Sequence, residues 1–412
     1  MNAFDYKNKE LMAEDVPLAQ IAAEVGTPAF VYSRAAFLGR LNSIEKAFET
    51  IPHKVCFSVK TCANLSMLKL VAGQNQGADI VSGGELFKAL KAGIKAEHIV
   101  FSGVGKTEKE MEEALDAGIM MFNVESEEEL ETLGRVAARL GKKAPVSLRV
   151  NPDVDAQTHP YISTGLKENK FGISRELALG VYAKAAANPN LEIVGVDCHI
   201  GSQLTSVEPL LEAAERLMAL VLELKKACHN VKYFDMGGSV GIRYNDENPP
   251  TMAQYAEGLA PILAKCPGLT LVLEPGRYVA GNSAVMLTKV LYNKQNGGRN
   301  FVIVDGAMND LVRPSLYGAY HGIVPLLDKG VPAKTVDVVG PVCESTDFLA
   351  KDRELPEVAS GDFLAVMSAG AYGFTMSSNY NARPRAAEIL VDGGSYRIIK
   401  PRETYEDLVK GE

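Results

Sequence analysis

The chain has 412 residues, of which 47% are hydrophobic and 23% are charged. Its length suits about two or three domains, and its composition excludes a disulfide-stapled peptide, a wholly disordered chain and a membrane bundle. The net charge of -8 argues against nucleic-acid or anionic-lipid partners, which need a basic surface. The six cysteines are scattered without a C-x-x-C pair, and no stretch reads as a leader or membrane span. We therefore expect a cytoplasmic protein that acts on a small molecule.

Short β-branched runs alternate with helical patterns from Lys54 onward. The helical patterns include 107–117, 126–140, 207–228 and 251–266, with Thr107 and Ser126 as N-cap candidates and Ser126-x-x-Glu129 as a capping box; residues 33–50 are also helical in pattern. The predicted strands end at Lys60, Gly83, Gly103, Ser126, Pro152, Ser202, Gly238 and Arg277. About eight strand-helix cycles in about 250 residues predict a (β/α)8 TIM-like barrel, with an open doubly wound sheet as the alternative.

The pattern changes after Arg277 to strand-like runs joined by turns. These runs are 284–292, 300–306, 335–341, 362–368, 387–394 and 395–401. Alternation of this kind is typical of antiparallel sheets. The sequence thus predicts an α/β chain with a barrel over 28–277 and an antiparallel β-barrel or sandwich domain made from 1–27 and 278–412.

Polar residues end several predicted barrel strands, where barrels of this type carry their active sites. Lysine is rarely buried without a partner or a covalent role, so Lys60 is a candidate imine-forming residue; a solvated strand-end lysine is the equal alternative. The other candidates at strand ends are Asp79, Ser82, His199, Ser202, Gly237, Gly238, Glu274 and Arg277.

Four further signals are ambiguous or negative. Residues 236–241 can offer backbone N–H groups to a phosphate, although a plain turn is the commoner meaning of such a run. Residues 102–107 resemble a P-loop, but Val100 stands where that motif requires glycine, so we assign no nucleotide role. His199 fits either a core histidine or an exposed strand end. The histidines and cysteines have no compact ligand spacing, so we predict no metal site.

A series of motifs runs in order along nearly the whole chain: Phe57-Ser58-Val59-Lys60, Asn151-Pro152-Asp153, 164–172, His199-Ile200-Gly201-Ser202, Gly237-Gly238, Glu274-Pro275-Gly276-Arg277, 308–314 and Cys343-Glu344-Ser345. This series resembles the fold-type III pyridoxal-phosphate-dependent decarboxylases, and within them it is most similar to the branch specific for diaminopimelate. The resemblance implies decarboxylation of meso-2,6-diaminopimelate to L-lysine and CO2, the last step of bacterial lysine biosynthesis.

The resemblance also implies a set of cofactor contacts. Lys60 would hold pyridoxal 5'-phosphate as an imine, and the Glu274 anion would keep the pyridine nitrogen protonated, so that the ring accepts the electrons left by CO2. His199 would stack on the ring. The remaining cofactor residues by resemblance are Asp79, which lines the pocket, and Ser202, Gly237, Gly238, Arg277 and Tyr372 around the phosphate side.

The remaining implied roles concern the substrate and the oligomer. Cys343 would supply the proton that replaces CO2, and it would come from the partner subunit of a homodimer; a buried apolar cysteine is the alternative. Glu344, also from the partner subunit, suits the distal ammonium. The substrate's carboxylate side would be met by Arg277, Arg313, Tyr317 and Tyr372.

Two positions depart from the family pattern: Ser239 replaces the third glycine of the phosphate loop, and Cys62 replaces an asparagine after the lysine.

Rival activities fit less well. Ornithine, lysine or carboxylated-polyamine decarboxylases would leave Arg313 without a distal carboxylate, and alanine racemase would need a tyrosine base. A catalytically silent relative would have lost Lys60 or Cys343.

Overall fold

The computed structural model describes residues 4–154, 170–227 and 229–412. These residues divide into two compact units. The barrel unit takes the described residues within Asn42–Ile242 and Asn248–Tyr278, and the β unit takes those within Met1–Leu41, Arg243–Glu247 and Val279–Glu412. Among the described residues, no helix combines the length and apolar character needed to cross a membrane.

The barrel unit contains a closed ring of parallel strands. Each described strand pairs with its neighbour along the chain, and the last, Thr270–Leu273, pairs with the first, His53–Ser58, through Val272 and Lys54. The eight strands of this ring in the described residues are His53–Ser58, Gly77–Ile80, Ile99–Phe101, Met121–Val124, Ala144–Asn151, Leu191–Asp197, Tyr233–Asp235 and Thr270–Leu273. A short strand, Ile173–Ser174, adds to the fifth. The predicted TIM-like barrel is confirmed.

Helices connect the strands, and their sequences explain where they begin. Thr107 caps Glu108–Ala117 with a complete capping box to Glu110. Ser126 caps Glu127–Leu140. In the predicted capping box, the Glu129 carboxylate would accept from the N–H of Ser126. It accepts instead from the N–H of Glu125, one residue earlier, at 3.1 Å. The other helices of this unit are Leu65–Gly73, Gly83–Ala92, Arg175–Ala187, Glu208–Lys226 and Met252–Leu263, with short 3₁₀ turns at Val59–Thr61 and Ala96–His98.

The barrel interior changes from apolar to polar along the strands. Side chains two residues apart on a strand point to the same face. An apolar layer contains Cys56, Val100, Met121 and Val272. Two residues further along the same strands, the buried residues are Ser58, Ser102, Asn123 and Glu274. The polar layer therefore lies at the C-terminal end of the barrel.

The β unit is a mixed sheet assembly. Its long strand Ala284–Asn296 pairs antiparallel with Arg299–Val304, Phe363–Val366 and Ala29–Ser33. Two pairings are parallel, Phe301 to Ile303 with Asp337 to Val339 and Ala387 to Val391 with Ala29 to Ser33, in a domain that we expected to be antiparallel. The remaining strands are Phe4–Lys7, Glu10–Ala13, Val16–Pro17, Ile323–Pro325, Ala333–Val339, Phe348–Pro356, Ala387–Asp392 and Ser395–Lys400, and the helices are Leu18–Val25, Arg313–Tyr317 and Tyr405–Leu408.

The chain enters the barrel unit after a strand of the β unit. Residues Ala29–Ser33, which lie inside the range that the sequence interpretation assigned to the barrel, form a fully buried strand of the β sheet. Val31 belongs to the core of this unit together with Val285 and Ile389. Helix Arg34–Ala47 contains the point at which the chain passes from one unit to the other.

Candidate active site

Lys60 lies at the C-terminal end of the first barrel strand, beside the carboxylate of Asp79 on the second. Its Nζ donates to Asp79 Oδ2 at 2.9 Å, and the same oxygen accepts from Ser58 Oγ at 2.6 Å. The Lys60 side chain is 38% exposed, whereas that of Asp79 is fully buried. Asp79 therefore holds the lysine amine at the mouth of the barrel, where it can reach a bound molecule.

Glu274 lies in the polar layer at the end of the eighth strand. Its Oε1 accepts from Asn123 Nδ2 at 3.3 Å and from Ser102 Oγ at 3.4 Å. Asn123 Nδ2 also approaches Asp235 Oδ2 at 3.2 Å. The backbone carbonyl of Glu274 accepts from Ser58 Oγ at 3.0 Å, which ties this strand end to the lysine side of the site. Neutral donors thus fix the direction of the Glu274 carboxyl.

Carboxylates outweigh cations in this part of the barrel. Burial raises the pKa of Glu274 well above its usual range, and the carboxylates of Asp235 and Asp79 raise it further, while Lys60 opposes the rise. Burial likewise raises the pKa of Asp235 to about 7. A cation bound beside Glu274 would favour its ionised form.

Unpaired polar atoms mark the same region. Asp79 Oδ1, Asn123 Oδ1 and Asp197 Oδ1 are buried and have no hydrogen-bond partner among the described residues. A buried polar atom without a partner is costly, so such atoms indicate a missing ligand or water. Together with the excess of carboxylates, they fit a polar, partly cationic group at the C-terminal end of the barrel.

The glycine pair after the seventh strand makes a close backbone approach. Gly237 adopts a φ of +62°, and a Cβ there would lie 2.6 Å from His199 Nδ1. A Cβ on Gly238 would lie 1.7 Å from the backbone oxygen of Glu274. Only glycine fits either position, and small residues of this kind let backbone N–H groups face an anion.

His199 packs against this loop as a neutral side chain. Its Nδ1 lies 3.2 Å from Ser239 Oγ, so the serine that departs from the family pattern supplies a hydroxyl partner for the ring. Burial lowers the pKa of His199 well below its usual value, and the charges of Arg149 and Lys60 lower it further. A neutral imidazole presents an uncharged face to a neighbouring ring.

Arg277 and Ser202 also meet in this region, since Arg277 Nε donates to Ser202 Oγ at 3.1 Å. Cys62, the other departure, is 2% exposed, and its backbone N–H donates to Val59 O at 3.0 Å. Cys62 is therefore accommodated as a small buried side chain. Ser82, by contrast with the residues above, caps helix Gly83–Ala92.

Lys106 shows what the P-loop-like run does in this fold. Its Nζ donates to the backbone oxygens of Gly103 and Asn123 at 2.8 and 2.7 Å and to Glu129 Oε1 at 2.7 Å. Three acceptors match the three donors of a lysine ammonium. Lys106 therefore fastens the loop after the third strand to the fourth strand and its helix.

In the β unit, Arg313 begins helix Arg313–Tyr317 and is 6% exposed. Its Nη1 lies 2.8 Å from His321 Nε2, and its guanidinium carbon lies 4.7 Å from the centre of the Tyr244 ring. Tyr317, at the other end of the helix, is partly buried. The short helix thus carries a guanidinium that contacts the side chains of His321 and Tyr244.

Cys343 and Glu344 are exposed in a loop of the β unit. The Cys343 N–H donates to Asn381 Oδ1 at 2.8 Å. The Asp347 carboxylate accepts from the N–H groups of Val342 at 2.7 Å and Met308 at 2.7 Å, which ties the loop to the segment at Met308. A thiol in this position is accessible to another molecule.

Tyr372 is partly buried in the β unit and has a φ of +57°, a conformation that is uncommon for a tyrosine. A residue held in this conformation is strained, and such strain is frequent at functional sites.

The motif residues 164–169 lie outside the described residues, as does Cys228.

The structure brings together the barrel candidates Lys60, Asp79 and Glu274, and separately His199 with Gly237 and Arg277 with Ser202. Sequence reasoning missed Ser58, Asn123, Asp235, Arg149 and, in the β unit, Tyr244 and His321. An asparagine or aspartate inside an otherwise apolar strand, as in Met121–Val124 or Tyr233–Asp235, was an available signal.

Comparison with known proteins gives consistent matches. The family model described as "Pyridoxal-dependent decarboxylase, pyridoxal binding domain" matches residues 34–281. Diaminopimelate decarboxylase of Pseudomonas aeruginosa is 53% identical over 412 residues, which is 100% of this chain and 99% of the relative.

Two solved structures are also similar. Diaminopimelate decarboxylase from Helicobacter pylori, complexed with L-lysine, has a TM-score of 0.92 and 42% identity, covering 95% of this chain and 98% of its own. The enzyme from M. jannaschii in complex with L-lysine has a TM-score of 0.95 and 36% identity, covering 100% of this chain and 98% of its own.

Proposed function

Because the chain belongs to the pyridoxal-dependent decarboxylases, and within them to the diaminopimelate decarboxylases, we propose that it decarboxylates meso-2,6-diaminopimelate to L-lysine and CO2 with pyridoxal 5'-phosphate as cofactor. This reaction is the last step of bacterial lysine biosynthesis. The observation that carries the proposal is the arrangement of Lys60, Asp79 and Glu274 at the C-terminal end of the barrel, with a lysine amine on one side and a buried carboxyl on the other.

The cofactor supplies an electron sink for the carbanion left when CO2 departs. Lys60 would hold it covalently through Nζ, and its exposure lets a substrate amine displace it. Asp79 keeps the lysine amine in place through a 2.9 Å hydrogen bond.

Glu274 would face the pyridine nitrogen of the cofactor. Burial and the neighbouring carboxylates raise its own pKa, so a protonated ring nitrogen beside it would form a charge-assisted pair. Asn123 and Ser102 orient Glu274 Oε1 for this contact. His199 would stack on the ring as a neutral imidazole, held by Ser239.

The phosphate of the cofactor would bind to the loop at Gly237 and Gly238. Both positions exclude a side chain, which lets the backbone amides approach an anion. Ser202, Arg277 and Tyr372 would complete this contact. Arg277 keeps its guanidinium near Ser202 Oγ, so these two residues act as one polar unit.

The substrate's distal end carries an ammonium and a carboxylate. Glu344 would bind the ammonium, while Arg277, Arg313, Tyr317 and Tyr372 would bind carboxylate oxygens. Cys343 Sγ would deliver the proton that takes the place of CO2, and its exposed position suits a group that acts outside its own β unit.

We further propose that the enzyme is a homodimer in which Cys343 and Glu344 complete the active site of the partner subunit. Their exposure in the β unit supports this assignment. A cytoplasmic location is supported by the described cysteines, which are free at Cys56, Cys62, Cys198, Cys266 and Cys343.

The test measures CO2 and lysine release from meso-diaminopimelate with added pyridoxal phosphate, with ornithine and lysine as parallel substrates. We expect release from diaminopimelate alone. Activity only on ornithine or lysine would contradict the distal-site assignment but keep the Lys60 chemistry. A coloured protein that is inert with all three substrates would contradict the proposed reaction.

A further inference from the structure

The surroundings of Arg313 contain a feature that the proposed reaction does not require. His321 is fully buried, with 0% exposure, and it joins Arg313 to the backbone of a neighbouring segment. Its Nε2 lies 2.8 Å from Arg313 Nη1, and its Nδ1 lies 2.8 Å from the backbone oxygen of Met367. The imidazole therefore bridges the Arg313 guanidinium and the backbone carbonyl of Met367.

The two partners determine where the proton of the ring lies. A guanidinium has only donors, so Nε2 must accept; a backbone carbonyl has only lone pairs, so Nδ1 must donate. His321 is thus the neutral tautomer with its proton on Nδ1. Protonation of Nε2 would remove the acceptor and place a second positive charge against Arg313.

The other residues around the bridge reinforce this arrangement. The ring of Tyr244 lies edge to face with that of His321, with centroids 5.4 Å apart and planes at 77°, and the Arg313 guanidinium carbon is 4.7 Å from the Tyr244 ring centre. Arg353, which lies over the Tyr320 ring, donates from Nη1 to the backbone oxygen of His321 at 2.7 Å. The imidazole ring and the backbone of His321 are therefore each held by a neighbour, Tyr244 and Arg353 respectively.

From this geometry we infer that His321 is a positioning residue for substrate specificity: it fixes the direction of the Arg313 guanidinium through a neutral acceptor, which adds no negative charge to compete with the substrate's distal carboxylate. The inference rests on the proposed function, which assigns that carboxylate to Arg313. A carboxylate in place of His321 would orient the arginine equally well, but it would compete with the substrate for the same charge. A neutral acceptor avoids this competition.

The test uses holoenzyme and two ligands that differ at the distal end. L-Lysine retains the distal carboxylate of diaminopimelate, whereas cadaverine carries no carboxylate. Their affinities are measured by titration calorimetry on the unaltered enzyme, His321→Leu, which removes the acceptor, and His321→Gln, whose amide oxygen can still accept. His229→Leu is the matched control, because His229 lies in the barrel unit.

We expect the unaltered enzyme to prefer L-lysine over cadaverine, and His321→Leu to reduce this preference about tenfold or more, since a hydrogen bond to a charged group is lost. His321→Gln should recover most of the preference, and His229→Leu should leave it unchanged. In steady-state kinetics, His321→Leu should raise KM for diaminopimelate more than it lowers kcat. Cofactor absorbance, which a general loss of folding would reduce, should be kept in all variants.

Two results would overturn the inference, and they can be told apart. If the unaltered enzyme releases lysine from diaminopimelate and prefers L-lysine, but His321→Leu keeps the full preference, the role of His321 is refuted and the proposed function stands. If the unaltered enzyme binds both ligands equally and does not act on diaminopimelate, the assignment of Arg313 fails and the inference fails with it.

Discussion

The glycine loop after the seventh barrel strand offers a sharp test of the site, because the structure sets the size of the perturbation. In Gly238→Ala, the new Cβ would lie 1.7 Å from the backbone oxygen of Glu274, whereas real Cβ atoms do not approach within 3.0 Å. The difference, 3.0 minus 1.7, requires a movement of at least 1.3 Å. The obstacle is backbone, so neither a rotamer change nor a flexible side chain can absorb it.

That movement would disturb contacts on both sides of the site. The Glu274 carbonyl accepts from Ser58 Oγ, which also donates to Asp79 Oδ2, and the Glu274 N–H donates to Gly237 O at 2.9 Å. A shift of this size in a catalytic geometry costs about 100-fold in rate. We expect Gly238→Ala to weaken pyridoxal phosphate binding and to lower kcat/KM by about that factor.

The assay titrates apoenzyme with pyridoxal phosphate by absorbance and follows kcat/KM and thermal unfolding in parallel. Gly180→Ala is the matched control, because Gly180 lies inside helix Arg175–Ala187 and, outside that helix, no described residue comes within 4 Å of the new Cβ. There the same substitution should leave activity intact and stabilise the protein by up to about 1 kcal/mol. Wild-type cofactor affinity and activity in Gly238→Ala would refute the close approach on which the phosphate assignment depends.

The remaining predictions concern the lysine, the acid and the carboxylate cluster. Lys60→Ala should abolish the visible absorbance of the bound cofactor and turnover; a variant with both intact would exclude Lys60 as the attachment point. Cys343→Ala should lower kcat at least tenfold without changing cofactor affinity, whereas Cys266→Ala, at a buried cysteine, should leave kcat unchanged; equal kcat in the two variants would remove the acid role. Because the pKa of Asp235 is raised from 3.8 to about 7, the folded apoenzyme holds a proton that the unfolded chain releases, so this group's contribution to stability falls as pH rises between those values. Thermal unfolding of the apoenzyme should show that decline, and Asp235→Asn should flatten it; an unchanged slope would contradict the raised pKa.

The carboxylate cluster explains why the site is built to receive a charged cofactor. Burial raises the pKa of Glu274 and of Asp235 in the free protein; the Asp79 carboxylate adds to both rises, and Asp235 adds to that of Glu274. Neutral Asn123 holds two of these carboxyl groups without balancing them. A cationic ring placed against Glu274 would relieve part of this repulsion, so cofactor binding and stability should be coupled.

Sequence alone determined the features that depend on local pattern. The alternation of β-branched runs with amphipathic helices predicted the barrel, and Thr107 marked a helix start that the structure reproduces. The pattern also predicted which residues lie at strand ends, and these share one edge because the parallel strands of a barrel all end on its C-terminal side. For this reason the sequence predicts that Lys60, Asp79 and Glu274 lie at the same edge of the barrel.

The tertiary structure decided which residues meet across long separations. Strands Ile323–Pro325 and Phe348–Pro356 escaped prediction, the second because its polar run KDRE hides the alternation. Ala29–Ser33 is fully buried and reads like any core strand, so only its pairing with Ala284–Asn296 and Ala387–Asp392 assigns it to the β sheet.

The same distinction applies to the site. Asn123 and Asp235 lie in apolar strands 112 positions apart, and the contact between them exists only once the barrel closes. His321 reads as an isolated histidine until its two ring nitrogens are seen between a guanidinium and a carbonyl. Local sequence encodes the period of burial and the chemistry of each side chain, whereas the partner of a buried polar group is set by packing between distant segments.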